Sequence, residues 1–260
     1  MEAKKLIGKL AIRTKPIILG RNNFTGKECY DFSYTTSPIR ILKVTENHIL
    51  MTSKSIGDAE PKILTVEIPG SDGVKDLTEA FGEVNYNNRT LTFNFDLFQS
   101  PSDWWTLKEN ISKYLHGKKL KIILDQDDDY YYVGRCKITN FSNDYTVAHL
   151  TIECDCEPYK YKLSETVNTK TVSAGTTYTY SNLNKSVIPT LVLSAAMTLE
   201  FKGNTYSLGA GTHKVLDIKF VEGNNSIKVT AGSGTLTVKY QEGTLWWIIK
   251  LNMVMIFFMI

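Results

Sequence analysis

The sequence predicts a mainly β protein of two domains, the first a sheet carrying one packed helix and the second a small sandwich or jelly roll. Three observations carry this. Fourteen Tyr, eleven Phe and many Thr and Val suit half-buried pleated surfaces better than helix interiors. Residues 89–97 alternate strictly, with Leu91, Phe93, Phe95 and Leu97 on one face and Thr90, Thr92, Asn94 and Asp96 on the other. After residue 166, short alternating runs recur between Gly and Asn turns, as small sheet pairs require.

Along the chain, residues 1–50 show no sustained pattern. A strand is expected at 63–68, ended by the Pro-Gly-Ser-Asp-Gly turn at 69–73. Residues 100–117 read as the helix. Ser100 is placed to cap it, Pro101 suits the first position, and Asp103 puts a negative charge near the positive end of the dipole. Trp104, Leu107, Ile111, Tyr114 and Leu115 form its apolar stripe, and Gly117 suits a left-handed stop. Strands follow at 119–124 and 130–138, joined by the acidic connection 125–129, and at 146–156. Pro158 then ends the pairing, which places the domain boundary at 161–166. The second domain is expected to hold strands at 176–180, 190–193, 199–201, 205–208, 215–220, 226–229 and 235–240, with a tight hairpin over 201–206. The resulting division is 1–162, 163–244 and an apolar tail at 245–260. That tail is shorter than the roughly 20 residues of a membrane-spanning helix, and it reads either as an accidental extension or as a terminal anchor.

A formal net charge of +3 gives no strong footprint for nucleic acid, although residues 4–62 hold more Lys and Arg than Asp and Glu, and no nucleic-acid partner is expected. Four cysteines, Cys29, Cys136, Cys154 and Cys156, are expected as free thiols of a reducing compartment; Cys154 and Cys156 share a strand face but lack zinc-knuckle spacing. Asp125, Asp127 and Asp129 alternate like calcium-loop ligands, yet Tyr130 stands where that loop needs Gly and Cys136 where it needs Glu, so an EF-hand is excluded. His48, His116, His149 and His213 are scattered. No nucleophile elbow, P-loop or dinucleotide fingerprint occurs. The expectation is therefore a protein without catalytic residues, cofactor or metal.

Read together, SKSIGDAEPK at 53–62, VEIPGSDGVKDLTEAF at 66–81 and NRTLTFNF at 88–95 resemble the distal tail protein family of long-tailed phages and prophages of Gram-positive bacteria. YLHGKK at 114–119, IILD at 122–125, YYYVGR at 130–135 and CDCEPYK at 154–160 continue the resemblance in order, and VEGNNSI at 221–227 with GSGTL at 232–236 resembles the closing strands of the family's outer domain. Family members begin with a strand like FTGKECYDF at 24–32. Here residues 33–50 insert unfamiliar sequence, and 246–260 extend past the usual end.

The resemblance implies an N-terminal β-sandwich with one helix, which forms a hexameric ring, and an outward galectin-like or carbohydrate-module-like β domain. It further implies a virion tail component assembled in the host cytoplasm, whose partners are copies of itself, the tail tube protein and the tail-tip protein. Because a closed ring needs two different patches per subunit, the ring-seam candidates are the edge carrying Arg89, Thr90 and Thr92 and the hairpin tip Asp127, Asp128 and Asp129. The alternative expectation is a carbohydrate-binding module contacting host cell-wall polysaccharide through Tyr178, Tyr180 and Tyr206, against which stands simple cross-strand packing of those rings.

Overall fold

The computed structural model describes residues 18–19, 29–32, 41–44, 49–80, 82–98 and 100–245; the tail at 246–260 and His48 lie outside these. The first domain contains β1 (Ile18–Leu19), β2 (Cys29–Phe32), β3 (Ile41–Val44), β4 (Ile49–Ile56), β5 (Thr65–Glu67), β6 (Val74–Asp76) and β7 (Arg89–Leu97). Helix α1 (Pro101–Leu115) follows, then β8 (Lys119–Leu124), a short 3-10 turn (Asp125–Asp127), β9 (Tyr130–Asn143), β10 (Ala148–Cys156) and β11 (Lys160–Lys162). Most of these build one curled sheet in the order β1-β8-β9-β10-β7-β4, with β11 paired to the start of β9.

The alternation read from the sequence is what closes this core. Leu91, Phe93, Phe95 and Leu97 of β7 are each 1% exposed or less, and Ala148, Leu150, Ile152, Cys154 and Cys156 face the same interior from β10. Trp104, Ile111 and Leu115 of α1 fill the space beneath, with Leu107 partly buried beside them and Tyr114 half-buried. Burying each large apolar side chain contributes roughly 1.5–3 kcal/mol. Ser100 precedes the helix without a side-chain cap; its carbonyl accepts the Asp103 N–H at 2.8 Å, and Pro101 holds the first position as expected. At the other end His116 is already extended and Gly117 turns left-handed at φ 78°, so its N–H leaves the helix for Cys136 O on β9. His116 Nδ1 accepts the Ile138 N–H at 3.1 Å, a second hook between helix exit and sheet.

Three boundaries differ from expectation. Of the 63–68 run only Thr65–Glu67 forms a strand, paired with β6. Strand β9 runs past residue 138 to Asn143, with Thr139 bulged out opposite the Thr151–Ile152 step of β10. The unfamiliar stretch 33–50 holds β3, which pairs antiparallel with β2.

The second domain comprises β12 (Thr166–Ser173), β13 (Thr177–Asn182), β14 (Thr190–Leu193), β15 (Met197–Phe201), β16 (Asn204–Leu208), β17 (Gly211–His213), β18 (Gly223–Ala231) and β19 (Ser233–Tyr240). They form two four-stranded sheets, β12-β19-β14-β17 and β13-β18-β15-β16, closed over one core that includes Leu191, Leu199, Phe220, Ile227 and Val238. The expected hairpin is present: Lys202 and Gly203 both have positive φ, 50° and 83°, as a two-residue type I′ turn demands. Residues 215–220 are not the expected strand. Ile218 N–H bonds back to Val215 O, and the resulting turn pushes Leu216 out to 72% exposure while Ile218 and Phe220 are fully buried. Finally β20 (Gly243–Thr244) returns to the first domain, where it pairs with β11.

Gly134 of β9 lies opposite Cys156 in the β10 register. A Cβ there would collide with Cys156 Sγ and approach Asp155 O to 2.8 Å, so Gly134→Ala is expected to lower stability by about 1–3 kcal/mol, read from urea unfolding midpoints.

Candidate assembly surface

Between β4 and β7 the chain leaves the body as a long two-stranded arm. Gly57 N–H bonds Thr90 O at its root, where a Cβ on Gly57 would approach that oxygen to 2.9 Å. Pairing continues through Lys62 to Asn85 and Leu77 to Leu64 into the β5–β6 ladder, and Gly70 and Gly73 turn the tip with φ near 83° and 71°. Every residue from 60 to 77 is exposed. By the two-residue period Leu64, Val66 and Ile68 share a face, and the pairing sets Leu77 opposite Leu64. Ile63 and Val74 stand on the other face at 69% and 56% exposure. An isolated two-stranded ladder is marginal in water, and this one carries an apolar face that no other described residue covers.

A second patch lies at the far end of the same strand. Phe98 follows β7, Tyr145 tips the β9–β10 turn fully exposed, and Trp105 on α1 is 59% exposed with its ring 5.2 Å from that of Phe141. Asp144 fixes this turn by accepting the Thr146 and Val147 N–H groups at 2.9 and 2.8 Å, bonds that hold its carboxyl below the usual range. Thus arm and aromatic patch leave β7 from opposite ends, two dissimilar surfaces on one rigid strand.

The junction between domains is polar, with a buried lysine at its centre. Strand β11 is flanked by β9 and β20, and Lys160 at its start is fully buried, its ammonium paired with Asp127 and 4.5 Å from the Tyr130 ring centroid. Lys162 reaches Glu242 at 3.1 Å, which also accepts from Thr166 Oγ1. Glu157 accepts from Lys119 and from Tyr161 OH, both at 2.7 Å; burial works against its charge, but these donors hold its carboxyl below the ordinary value. Lys185 donates to Tyr161 OH, and burial lowers the lysine and raises the tyrosine. Glu83 at the arm root accepts from Ser186 Oγ at 2.6 Å and pairs with Lys219 at 3.5 Å, tying the arm to the second domain.

The residues singled out from sequence fall unevenly on this map. Arg89 is 2% exposed: its guanidinium donates to Leu245 O at 3.0 Å and lies 5.7 Å from the centroid of the Tyr132 ring, whose hydroxyl burial pushes up to about 12. The strand it begins is not an edge, since β10 pairs one side of β7 and β4 the other; Thr90 is exposed and Thr92 half-buried on its outward face. Asp127 is committed internally to Lys160, while Asp128 and Asp129 occupy the turn beyond it. Tyr180 is 2% exposed and stacked on Phe220, so it presents no ring to a sugar. Tyr178 and Tyr206 pack partly on the core, and Tyr178 OH caps Thr171 O on the outer side of β12 at 3.2 Å. His149 bonds Asp96 at 2.7 Å and His213 bonds Gly209 O at 2.8 Å. Among the described residues no cluster of three or more His, Cys, Asp or Glu converges as metal ligands, and no helix is long and apolar enough to cross a membrane. The arm itself was hidden in the sequence because its apolar residues read as an ordinary strand; the density of turn residues around it was the available signal.

No protein-family model and no curated protein matches the chain. Among solved structures, the chain matches SPP1 Dit (gp 19.1), described as a paradigm of the hub adsorption apparatus in phages infecting Gram-positive bacteria. The fold is similar to that protein's. The match has a TM-score of 0.57 at 16% identity and covers 83% of this chain and 98% of SPP1 Dit. At that identity the likeness is one of fold, and it takes in both domains.

Two outcomes test the junction. Asp127→Asn leaves a fully buried ammonium without that carboxylate and is expected to cost about 3 kcal/mol, measured by denaturant unfolding. Because the pKa of Glu157 is lowered on folding, its contribution is complete above the ordinary glutamate value of 4.5 and is lost as pH falls through the folded value. The difference in melting temperature between wild type and Glu157→Gln should therefore shrink from near neutral to about pH 3.

Proposed function

We propose that the chain is a non-catalytic structural protein of a phage tail, a hub that assembles with copies of itself into a ring joining the tail tube to the tail-tip apparatus. The observation that carries this is the uncovered apolar arm, Leu64, Val66, Ile68 and Leu77, on a fold similar to that of a hub adsorption protein over nearly all of that protein's length. A ring closes by heterologous contact, so each subunit must offer one surface and receive with another. The arm supplies the first, and the outward face of the sheet with the aromatic patch around Trp105 and Tyr145 supplies a receiver of different shape.

In this reading six copies form the ring, the first domain makes the seam, and the second, galectin-like domain points outward. The protein assembles in the host cytoplasm and ends in the virion tail. The dissimilarity of the two patches favours a closed ring over a two-fold dimer, whose single patch would have to complement itself.

Native mass spectrometry and negative-stain electron microscopy of the purified chain should show rings. Val66→Asp combined with Ile68→Asp should shift the population to monomer while leaving the melting temperature within about 2 °C, because both positions are exposed in the single chain. Rings that persist in the double variant would remove the arm from the seam, and a monomer at all concentrations would remove the ring.

A further inference from the structure

Cys136 and Cys154 are opposite each other in the β9–β10 register, and their sulfurs are 2.7 Å apart, well inside ordinary van der Waals contact. The type of pairing matters here. Cys136 spends its N–H on Lys118 O at 3.0 Å and its carbonyl on Gly117 N–H at 2.8 Å, both on the β8 side. Nothing is left for β10 at that position, so Cys136 and Cys154 form a non-hydrogen-bonded antiparallel pair, the kind in which side chains approach most closely, with Cα atoms typically about 4.5 Å apart. That separation is at the near end of the range a disulfide spans, roughly 4.4–6.8 Å.

The third thiol in the same layer is excluded by register. Cys156 faces Gly134, which has no side chain, and its neighbour Cys154 is two residues along the same strand face, about 7 Å between Cα atoms and beyond disulfide reach. All three thiols are free, and each is 3% exposed or less.

We propose that Cys136 and Cys154 are a modification site that takes a cross-strand disulfide when the folded chain meets a small oxidant of the peroxide class. One thiolate attacks the peroxide, breaking its O–O bond to give a sulfenic acid and one water; the second sulfur displaces the hydroxyl, forming the S–S bond and releasing a second water. Two thiols lose two electrons and one peroxide is reduced to two waters. Only a small, uncharged oxidant reaches sulfurs this buried, and once the first step has occurred the partner is already in contact, so over-oxidation is outrun by closure. The hydrogen bond between the sulfurs, and then burial, hold the Cys154 thiol protonated well above its ordinary range, which keeps the thiolate scarce and makes the reaction slow. The link would fasten the centre of the sheet beside the helix exit, where Gly117 and His116 hook onto β9.

The test treats the folded full chain with hydrogen peroxide, quenches with catalase, alkylates the remaining thiols in denaturant, and reads intact mass and a peptide map. The expected result is the loss of two of the four thiols per chain, one link joining the Cys136 and Cys154 peptides, and recovery of both thiols with dithiothreitol. Cys156→Ala should keep the link, whereas Cys136→Ala and Cys154→Ala should abolish it; the wild-type map stands by itself if either variant misfolds. A link through Cys156 or Cys29, sulfinic acid on one unlinked cysteine, or no change in folded protein under conditions that oxidise the denatured chain would each overturn the assignment.

Discussion

The architecture depends on a three-residue strand. Lys160–Lys162 takes β9 of the first domain on one side and β20 of the second on the other, so the domains are joined by a backbone ladder as well as by side chains. Such a strand can be short only if its ends are fixed. The fully buried Lys160 fixes one, through Asp127 at the tip of the β8–β9 connection, and Lys162 with Glu242 fixes the other. A buried ion pair contributes little net stability compared with apolar packing, but removing one partner is costly, because it leaves a buried charge uncompensated.

Around that junction the chain divides its apolar residues in two ways. On the core strands they are sequestered by alternation, down to Leu91 and Leu97 with no exposed surface. On the arm the same kinds of residue, Leu64, Val66, Ile68 and Leu77, are held out in water on a ladder that nothing else in the described chain supports. The contrast implies that the two populations answer to different requirements, folding in the first case and association in the second.

Much of the scaffold was legible in the sequence because alternation and helix punctuation are local signals. The inward set of β7 and β10, the stripe of α1 and the turn at Lys202 and Gly203 follow from spacing alone. What escaped depended on distant partners. Strand β12, Thr-Val-Asn-Thr-Lys-Thr-Val-Ser, has few apolar residues to reveal its face and is defined by pairing with β19 far along the chain. Arg89 and Lys160 look like surface cations until Leu245 and Asp127 are brought to them. Residues 215–220 alternate correctly for a strand, yet a turn at Leu216 satisfies both buried positions in another way. For the candidate site, sequence directed attention to Arg89 and Asp127, which serve the junction, and passed over the arm, whose significance lies in exposure, a property no pattern of residues encodes by itself.

The contact of Glu83 with Ser186 and Lys219 gives the molecule a mechanical character. The root of the projecting arm touches the second domain as well as the first. Force on the second domain would therefore reach the arm root through these contacts as well as through the strand shared by the two halves.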